Sequence, residues 1–397
     1  MMPAAGRILL TRGLRGFADG LVSVLLAGHL GRLGFSSLQI GTIVAGTLLG
    51  SAVLTTAVGL LAHRLDPRRV LLASSVLMLA TGLGFGVLGT FWPLLIVAIV
   101  GTLNPSAGDV SVFLPTEQAL LAQANAAERP ALFARYNVAG SIAGALGALA
   151  SAGPALVAAR IGVDVATAER ASFLLYGGIG LASAFVYAGL PAAVQPAVVA
   201  AQRRPLARSR RIVLQLAALF SLDSFGGGFV VQTLLVLWLS RRFALPIETT
   251  GAVFFAAGIF AAVSQLLSPR LAARIGLVPT MVYTHLPANL FLALAGVVPN
   301  ATLAVGFLLA RALLSQMDVP ARQAYVMAVV PPEERAAAAG VTNVPRSLAA
   351  ALPPFLTGMM LDRSTFGWPL VCAGVLKAAY DLLLLARFHA VRPLDEA

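Results

Sequence analysis

The sequence predicts an all-α membrane protein of twelve transmembrane helices, built as two homologous six-helix bundles around a central cavity. Three observations predict it. The 397-residue chain is 58% hydrophobic and only 11% charged, with a mean hydropathy of +0.87, whereas about a quarter of the residues in a soluble domain are charged. Its apolar runs are long enough to cross roughly 30 Å of hydrocarbon, which takes about 20 helical residues. Polar landmarks in the first half also recur in the second, as in membrane proteins built from internal repeats.

Apolar runs punctuated by Arg, Pro and Gly place helices near 8–30, 38–61, 70–89, 92–118, 135–159 and 171–190, and then near 212–239, 247–267, 278–297, 301–328, 336–359 and 368–388. Between the sixth and seventh lies LPAAVQPAVVAAQRRPLARSRR, whose prolines and basic run suit a linker. The expected organisation is therefore an N-terminal half, 1–190, a cytoplasmic linker, 191–211, and a C-terminal half, 212–397. The opening MMPAAGRILLTRGLRGFADG carries arginines into its apolar stretch and lacks a small-residue cleavage site, so it reads as a retained first helix.

The net charge is +12, and all but one of the 28 basic residues are arginine. In a soluble chain this would suggest nucleic acid. Here the basic residues cluster between apolar runs, at Arg64, Arg68 and Arg69, at Arg203, Arg204, Arg208, Arg210 and Arg211, and at Arg270 and Arg274. That pattern marks cytoplasmic connections. Trp92, Trp238 and Trp368 fall at the opposite helix ends, as an interfacial aromatic belt does. Both termini are expected to be cytoplasmic and the chain to be a multi-pass, monomeric protein of the inner cell membrane. Neither nucleic acid nor a cofactor is expected. The single cysteine, Cys372, excludes intramolecular disulfides, and the four histidines lack metal-ligand spacing such as HExxH. No GxxxxGK[ST] or GxSxG motif occurs, so neither a nucleotide-driven pump nor an enzyme is expected.

The repeat rests on particular residues. Glu128, Arg129, Asn137 and Ser141 stand 206 residues before Glu334, Arg335, Asn343 and Ser347. Gly41 and Arg64 stand 210 before Gly251 and Arg274, and Asp19 stands 204 before Asp223. In GLLAHRLDPRR, 59–69, Gly59, Arg64 and Arg68 fit the pattern G-x-x-x-D-R-x-G-R-R, with His63 at the aspartate, Asp66 at the second glycine, Pro67 at the first of the last two arginines and Arg69 one place beyond them. A second copy, PRLAARIG at 269–276, keeps Arg274 and Gly276 but has Ala273 at the acidic position. PPEERAAAAG, 331–340, fits P-x-E-x-R ahead of a small-residue helix.

Through these segments the chain resembles the major facilitator superfamily over essentially its full length. The resemblance implies that helices one, four, seven and ten line the cavity and that the two halves alternate in access. It also implies that the 59–69 loop latches one access state by pairing with helix ends. Family exporters often carry Gly-Pro in helix five; here GSIAGALGALASAGP reaches Gly153 and Pro154 only late, and its small residues read as close helix packing.

Ionisable groups near the bilayer centre are costly, so each is a functional candidate. Asp19, Asp109, Asp223 and Asp318 fall near the middles of helices one, four, seven and ten. They are the candidate solute- and proton-binding residues. On helix ten, Arg311, Ser315, Asp318, Arg322 and Tyr325 share a face, as do Arg12, Arg15, Asp19 and Ser23 on helix one. The plainer alternative has Arg15 neutralise Asp19, and Arg311 or Arg322 hold Asp318. Asp109 and Asp223 have no basic residue one turn away and are the favoured binding groups. Lys377 and Asp381 read as a local i, i+4 pair. Arg346 reads as a group that neutralises a cavity acid, and Glu117 as a gating or solvated carboxylate.

Together these predict secondary transport of a small solute by alternating access, coupled to protons. Efflux of a cationic or polar compound by antiport is favoured over uptake by symport or uncoupled facilitation. From another class, a lipid-handling protein or receptor without transport is the alternative.

Overall fold

The computed structural model describes residues 4–61, 64–106, 111–123, 128–191, 206 and 208–389. Among them all regular structure is helical, and the helices fall on the twelve runs expected. Seven runs are single α-helices: α1 (Ala4–Arg32), α2 (Ser37–Leu61), α3 (Pro67–Val87), α8 (Val165–Ala188), α11 (Ile247–Ile275), α12 (Leu277–Val297) and α17 (Trp368–Phe388). The other five are broken in two: α4 (Phe91–Val100) with α5 (Leu114–Leu121), α6 (Arg129–Ala150) with α7 (Gly153–Ile161), α9 (Arg210–Gly228) with α10 (Gln232–Phe243), α13 (Ala301–Leu314) with α14 (Asp318–Ala328), and α15 (Arg335–Ala351) with α16 (Pro353–Arg363).

Among the described residues, nine segments are long and apolar enough to cross a membrane. The first run is not among them because Arg7, Arg12, Arg15 and Asp19 load its first half with charge. Most of the proposed linker, 192–205 and 207, lies outside the described residues, as do His63 and the candidate Asp109.

Local chemistry sets the ends. Asp66 caps α3 by accepting from the Arg68 amide at 3.0 Å, with Pro67 as the first helical residue. Asp164 caps α8 by accepting from the Thr167 hydroxyl at 3.1 Å and amide at 2.9 Å, and these bonds hold its carboxyl below the ordinary range. Pro154 and Pro353 open α7 and α16. Glu334 holds the start of α9, accepting from the amides of Arg208 at 3.0 Å and Ser209 at 3.1 Å.

With no hydrophobic driving force inside a bilayer, helices associate through close backbone approach. A Cβ on Gly16 would lie 2.8 Å from the Gly140 carbonyl oxygen, and one on Gly20 would lie 2.9 Å from the Gly144 Cα. The small residues of α6 thus form a packing seam for α1, as expected. Gly82 of α3 meets Gly177 of α8 in the same way.

The helices before residue 191 pack chiefly against one another, as do those after 208, and the two sets are here called the first and second bundles. They meet at the end that carries the connections 33–36, 244–246 and 364–367, here called the distal end. There α2 and α16 touch backbone to backbone: a Cβ on Gly41 would lie 2.9 Å from the Gly358 Cα. Asp362 accepts from the Ser37 and Leu38 amides at 2.7 and 3.0 Å, so a carboxylate from one bundle caps a helix of the other. Arg241 contacts both Ser37 and Asp362. Thr233 donates to the Ser23 carbonyl at 2.7 Å, and Gln232 to the Ser23 hydroxyl at 3.0 Å.

Candidate functional site

Three of the four passes that carry the central acids are broken near those acids. Asp223 lies five residues before the end of α9, Asp318 opens α14, and the described residues between α4 and α5, 101–106 and 111–113, are non-helical. Interrupted helices in a membrane leave backbone groups that only a protein-lined or wet interior can satisfy. At the α13–α14 break the Ser268 hydroxyl of α11 donates to the Met317 carbonyl at 2.6 Å. Asp318 sits in the first turn of α14, where a negative charge is favoured.

In the first bundle the organising group is Glu117, not Asp19. Its carboxylate is fully buried and receives four donors from three other helices. Thr11 and Tyr187 donate to Oε1 at 3.3 and 2.5 Å, and Tyr136 to Oε2 at 2.6 Å. Arg15 pairs with Oε2. The expectation of a solvated Glu117 is therefore corrected: burial forces it to be paired, and it ties α1, α5, α6 and α8 together. Arg15 is correspondingly the partner of Glu117. It also lies 4.0 Å over the Phe113 ring, while Arg12 lies 5.0 Å over Tyr136. Asp19 is half-buried, hydrogen-bonded by the Asn104 side chain and within electrostatic reach of Arg15 and Arg12.

The second bundle holds a larger charge network. Asp223, which has no basic residue one turn away on its own helix, is the most heavily paired of the described candidate acids. Lys377 of α17 binds its Oδ1 and also donates to its main-chain carbonyl at 3.3 Å. Arg322 of α14 binds Oδ2 at 3.1 Å and reaches Asp318 at 3.3 Å. His285 of α12 places Nε2 3.8 Å from Asp223 Oδ1 and Nδ1 2.9 Å from Asp381 Oδ1. Asn289 donates to Asp381 Oδ2 at 2.8 Å. Every one of these side chains is buried.

The local Lys377–Asp381 pair is thus corrected. The two residues occupy one helix face but turn to different partners, because helices α9 and α12 offer each an opposite or hydrogen-bonding group in the apolar interior. Arg346 donates to the Ser224 hydroxyl at 3.0 Å, next to Asp223. Arg311 lies within electrostatic reach of Asp223 and Asp318, and its Nε is buried without a hydrogen-bond partner among the described residues. Tyr325 departs from the expected polar stripe. It is packed in an apolar cluster with Val213, Met281 and Phe388, its ring edge-on to Phe388 at 6.2 Å.

In the loop motif, Gly59 faces open space, Arg64 and Arg69 are exposed or nearly so, and Arg68 donates to the Ala188 carbonyl at the C-terminus of α8. Arg274 lies exposed in the last turn of α11, and Gly276 adopts φ +90° at the turn into α12, a conformation that favours glycine. The residues that the sequence argument passed over are His285, Asn289, Tyr136, Tyr187 and Asp362. The signal for the first two was present: His285 and Asn289 are four apart on an apolar helix, as Lys377 and Asp381 are on theirs.

Paired helical bundles, broken passes and buried charge networks where the passes converge define a solute transporter that works by alternating access. The family model described as Major Facilitator Superfamily matches residues 8–354, and the chain belongs to that family. It is a transporter and not an enzyme. It is 25% identical to an uncharacterised membrane protein of Saccharomyces cerevisiae, YJR124C, over 95% of this chain and 92% of that one. Among solved structures, its fold is similar to a bacterial homologue of the human lysosomal transporter Spinster, with TM-score 0.74, 12% identity and 96% of each chain covered. It is also similar to the xylose transporter XylE from E. coli, with TM-score 0.75, 15% identity and 98% of each chain covered. The nucleoside transporter NupG matches with TM-score 0.70 and 13% identity, over 96% of this chain and 99% of that one.

Proposed function

We propose that this chain exports a small polar solute in exchange for protons, with Asp19 as the carboxylate that meets solute and proton, and with Asp109, outside the described residues, as its partner in that role. The bundles 1–190 and 212–397 rock about the proposed linker, both termini facing the cytoplasm of a cell whose inner membrane the protein spans. One observation carries the choice of Asp19. Glu117, Asp223, Asp318 and Asp381 are nearly or fully buried and are held directly by an ion pair or by several hydrogen-bond donors, whereas Asp19 is only half-buried, bonded by Asn104, and within electrostatic reach of Arg12 and of an Arg15 that is itself paired with Glu117. A carboxylate with access to a cavity can bind a solute or a proton, while one saturated by protein donors holds helices together. The same saturation favours a polar neutral solute over a cation, because most of the buried negative charge is already offset.

The test begins with purified protein and a panel of sugars, nucleosides, amino acids and amines, scored by solute-dependent thermal shift. The solute that stabilises most is then followed in proteoliposomes. Asp19→Asn is expected to keep solute counterflow and to lose flux driven by a pH gradient. Full pH-driven flux in that variant overturns Asp19 as the coupling group, and an uncoupled facilitator becomes the better description.

A further inference from the structure

The second bundle holds one imidazole between two carboxylates, far from both ends of its helix. His285 Nδ1 lies 2.9 Å from Asp381 Oδ1, and Asn289 supplies a donor to the other Asp381 oxygen at 2.8 Å. Asn289 Nδ2 also lies 3.1 Å from His285 Nδ1. A lone pair on Nδ1 would, however, face the lone pairs of an ionised Asp381 Oδ1 at 2.9 Å, so the proton of a neutral His285 is placed on Nδ1. There it donates to Asp381 while Asn289 donates to the other carboxylate oxygen. That leaves Nε2 with its lone pair, aimed toward Asp223 Oδ1 at 3.8 Å, too long for a hydrogen bond. The same Asp223 oxygen is held by the Lys377 ammonium.

We propose that His285 is a proton-accepting switch: a proton taken up on Nε2 turns the imidazole into a second cation that competes with Lys377 for Asp223 Oδ1. The proton forms a bond to the Nε2 lone pair and no bond breaks. A movement of about 1 Å brings the new N–H into hydrogen-bond range of Asp223. Lys377 then loses its best partner, and the clasp that ties α17 to α9 loosens. Arg322 keeps both Asp223 Oδ2 and Asp318, so α9 and α14 stay joined while α17 is released. The inference rests on the proton coupling proposed above and places a proton at a second position.

The groups that face His285 are Asp223 from α9, Asn289 from α12 itself, and Tyr380 and Asp381 from α17. Around Asp223 in turn stand Lys377 from α17, Arg322 from α14, which also holds Asp318, and Arg311 from α13 within electrostatic reach. Asp223, Asp318 and Asp381 offset Arg311, Arg322 and Lys377 when the imidazole is neutral. One added proton leaves an excess positive charge in an apolar interior, and rearranging the Lys377 contact relieves it.

Lys377 is the sole lysine in the chain and His285 is one of four histidines, so the test needs no known solute. Full-length protein is labelled with 15N at lysine Nζ and at the histidine rings. Imidazole signals are assigned with His29→Gln, His63→Gln, His285→Gln and His389→Gln. As the pH is lowered, the His285 Nε2 signal should move from an acceptor-type to a protonated nitrogen. The single Lys377 side-chain signal should shift with the same midpoint, and that shift should vanish in His285→Gln, whose amide retains hydrogen bonding without titrating. A Lys377 shift that persists in His285→Gln overturns the proposal, as does an Nδ1 that is itself the acceptor, or an Nε2 signal that does not change. The last two are read on the wild type and hold even where the variant fails to fold. If pH-driven flux in proteoliposomes continues under any of these results, proton coupling stands and His285 alone is excluded.

Discussion

Asp362 offers a direct handle on the distal closure. It belongs to α16 yet accepts from the Ser37 and Leu38 amides at the start of α2, at 2.7 and 3.0 Å. Hydrogen bonds to a charged group contribute about 1.5–3 kcal/mol each where they are well buried. The Asp362 side chain is 31% exposed, so water competes for the same amides once the bundles part, and the two bonds together are assigned about 2 kcal/mol. Because the contact exists only when the distal end is closed, its loss acts on the access equilibrium. A shift of about 2 kcal/mol corresponds to roughly thirty-fold in the open-to-closed ratio.

The readout is a distance distribution by pulsed electron paramagnetic resonance. Spin labels are placed through Gly31→Cys, at an open position near the end of α1, and Thr365→Cys, exposed beyond α16, in a Cys372→Ser background. Asp362→Ala should raise the long-distance population by roughly thirty-fold relative to the short one. Asp362→Asn keeps one acceptor oxygen and should fall between. If the wild type is closed too completely to measure, Gly41→Ala, whose added Cβ presses on α16, brings both states into range for all variants. Superimposable distributions for Asp362→Ala and its parent, with Gly41→Ala opening the same end, would refute the assignment of closure to this cap.

Two further outcomes follow from the buried networks. Glu117→Gln should lower expression and thermal stability, because Arg15 is left as an uncompensated buried charge at a cost of about 3–5 kcal/mol; Arg15→Leu combined with Glu117→Leu should recover much of that loss, and equal melting of wild type and Glu117→Gln would contradict the pairing. A double-mutant cycle in thermal stability over Asp223→Asn and Lys377→Met should give a coupling above about 1 kcal/mol, and the cycle over Lys377→Met and Asp381→Asn a smaller one; the reverse order would restore the local i, i+4 pair.

The helix positions were legible because lipid imposes one length and one composition on every spanning segment, and the twelve runs fall on the observed helices. What composition does not carry is where a helix breaks. The prolines at Pro154 and Pro353 signal two interruptions, but the breaks after Gly228 and before Asp318 depend on tertiary partners such as Ser268 bonding the Met317 carbonyl.

Charge partners were harder to read, and for one reason. Sequence spacing exposes neighbours three or four residues apart on one helix, so Arg15 was matched with Asp19 and Lys377 with Asp381. In an interior without water, a buried charge takes whichever partner offers the better geometry, and for long side chains that partner is on another helix. Arg15 reaches Glu117 and Lys377 reaches Asp223, each across a helix pair. Arg322 with Asp318 is the local pair that the structure retains, and even there the guanidinium is shared with Asp223. An i, i+4 polar pair in a membrane helix therefore identifies a face that must find partners, and the elements packed on that face decide which. Read this way, the His285–Asn289 and Lys377–Asp381 pairs were two halves of one signal: two apolar helices, each with a two-residue polar face, that had to be packed against each other.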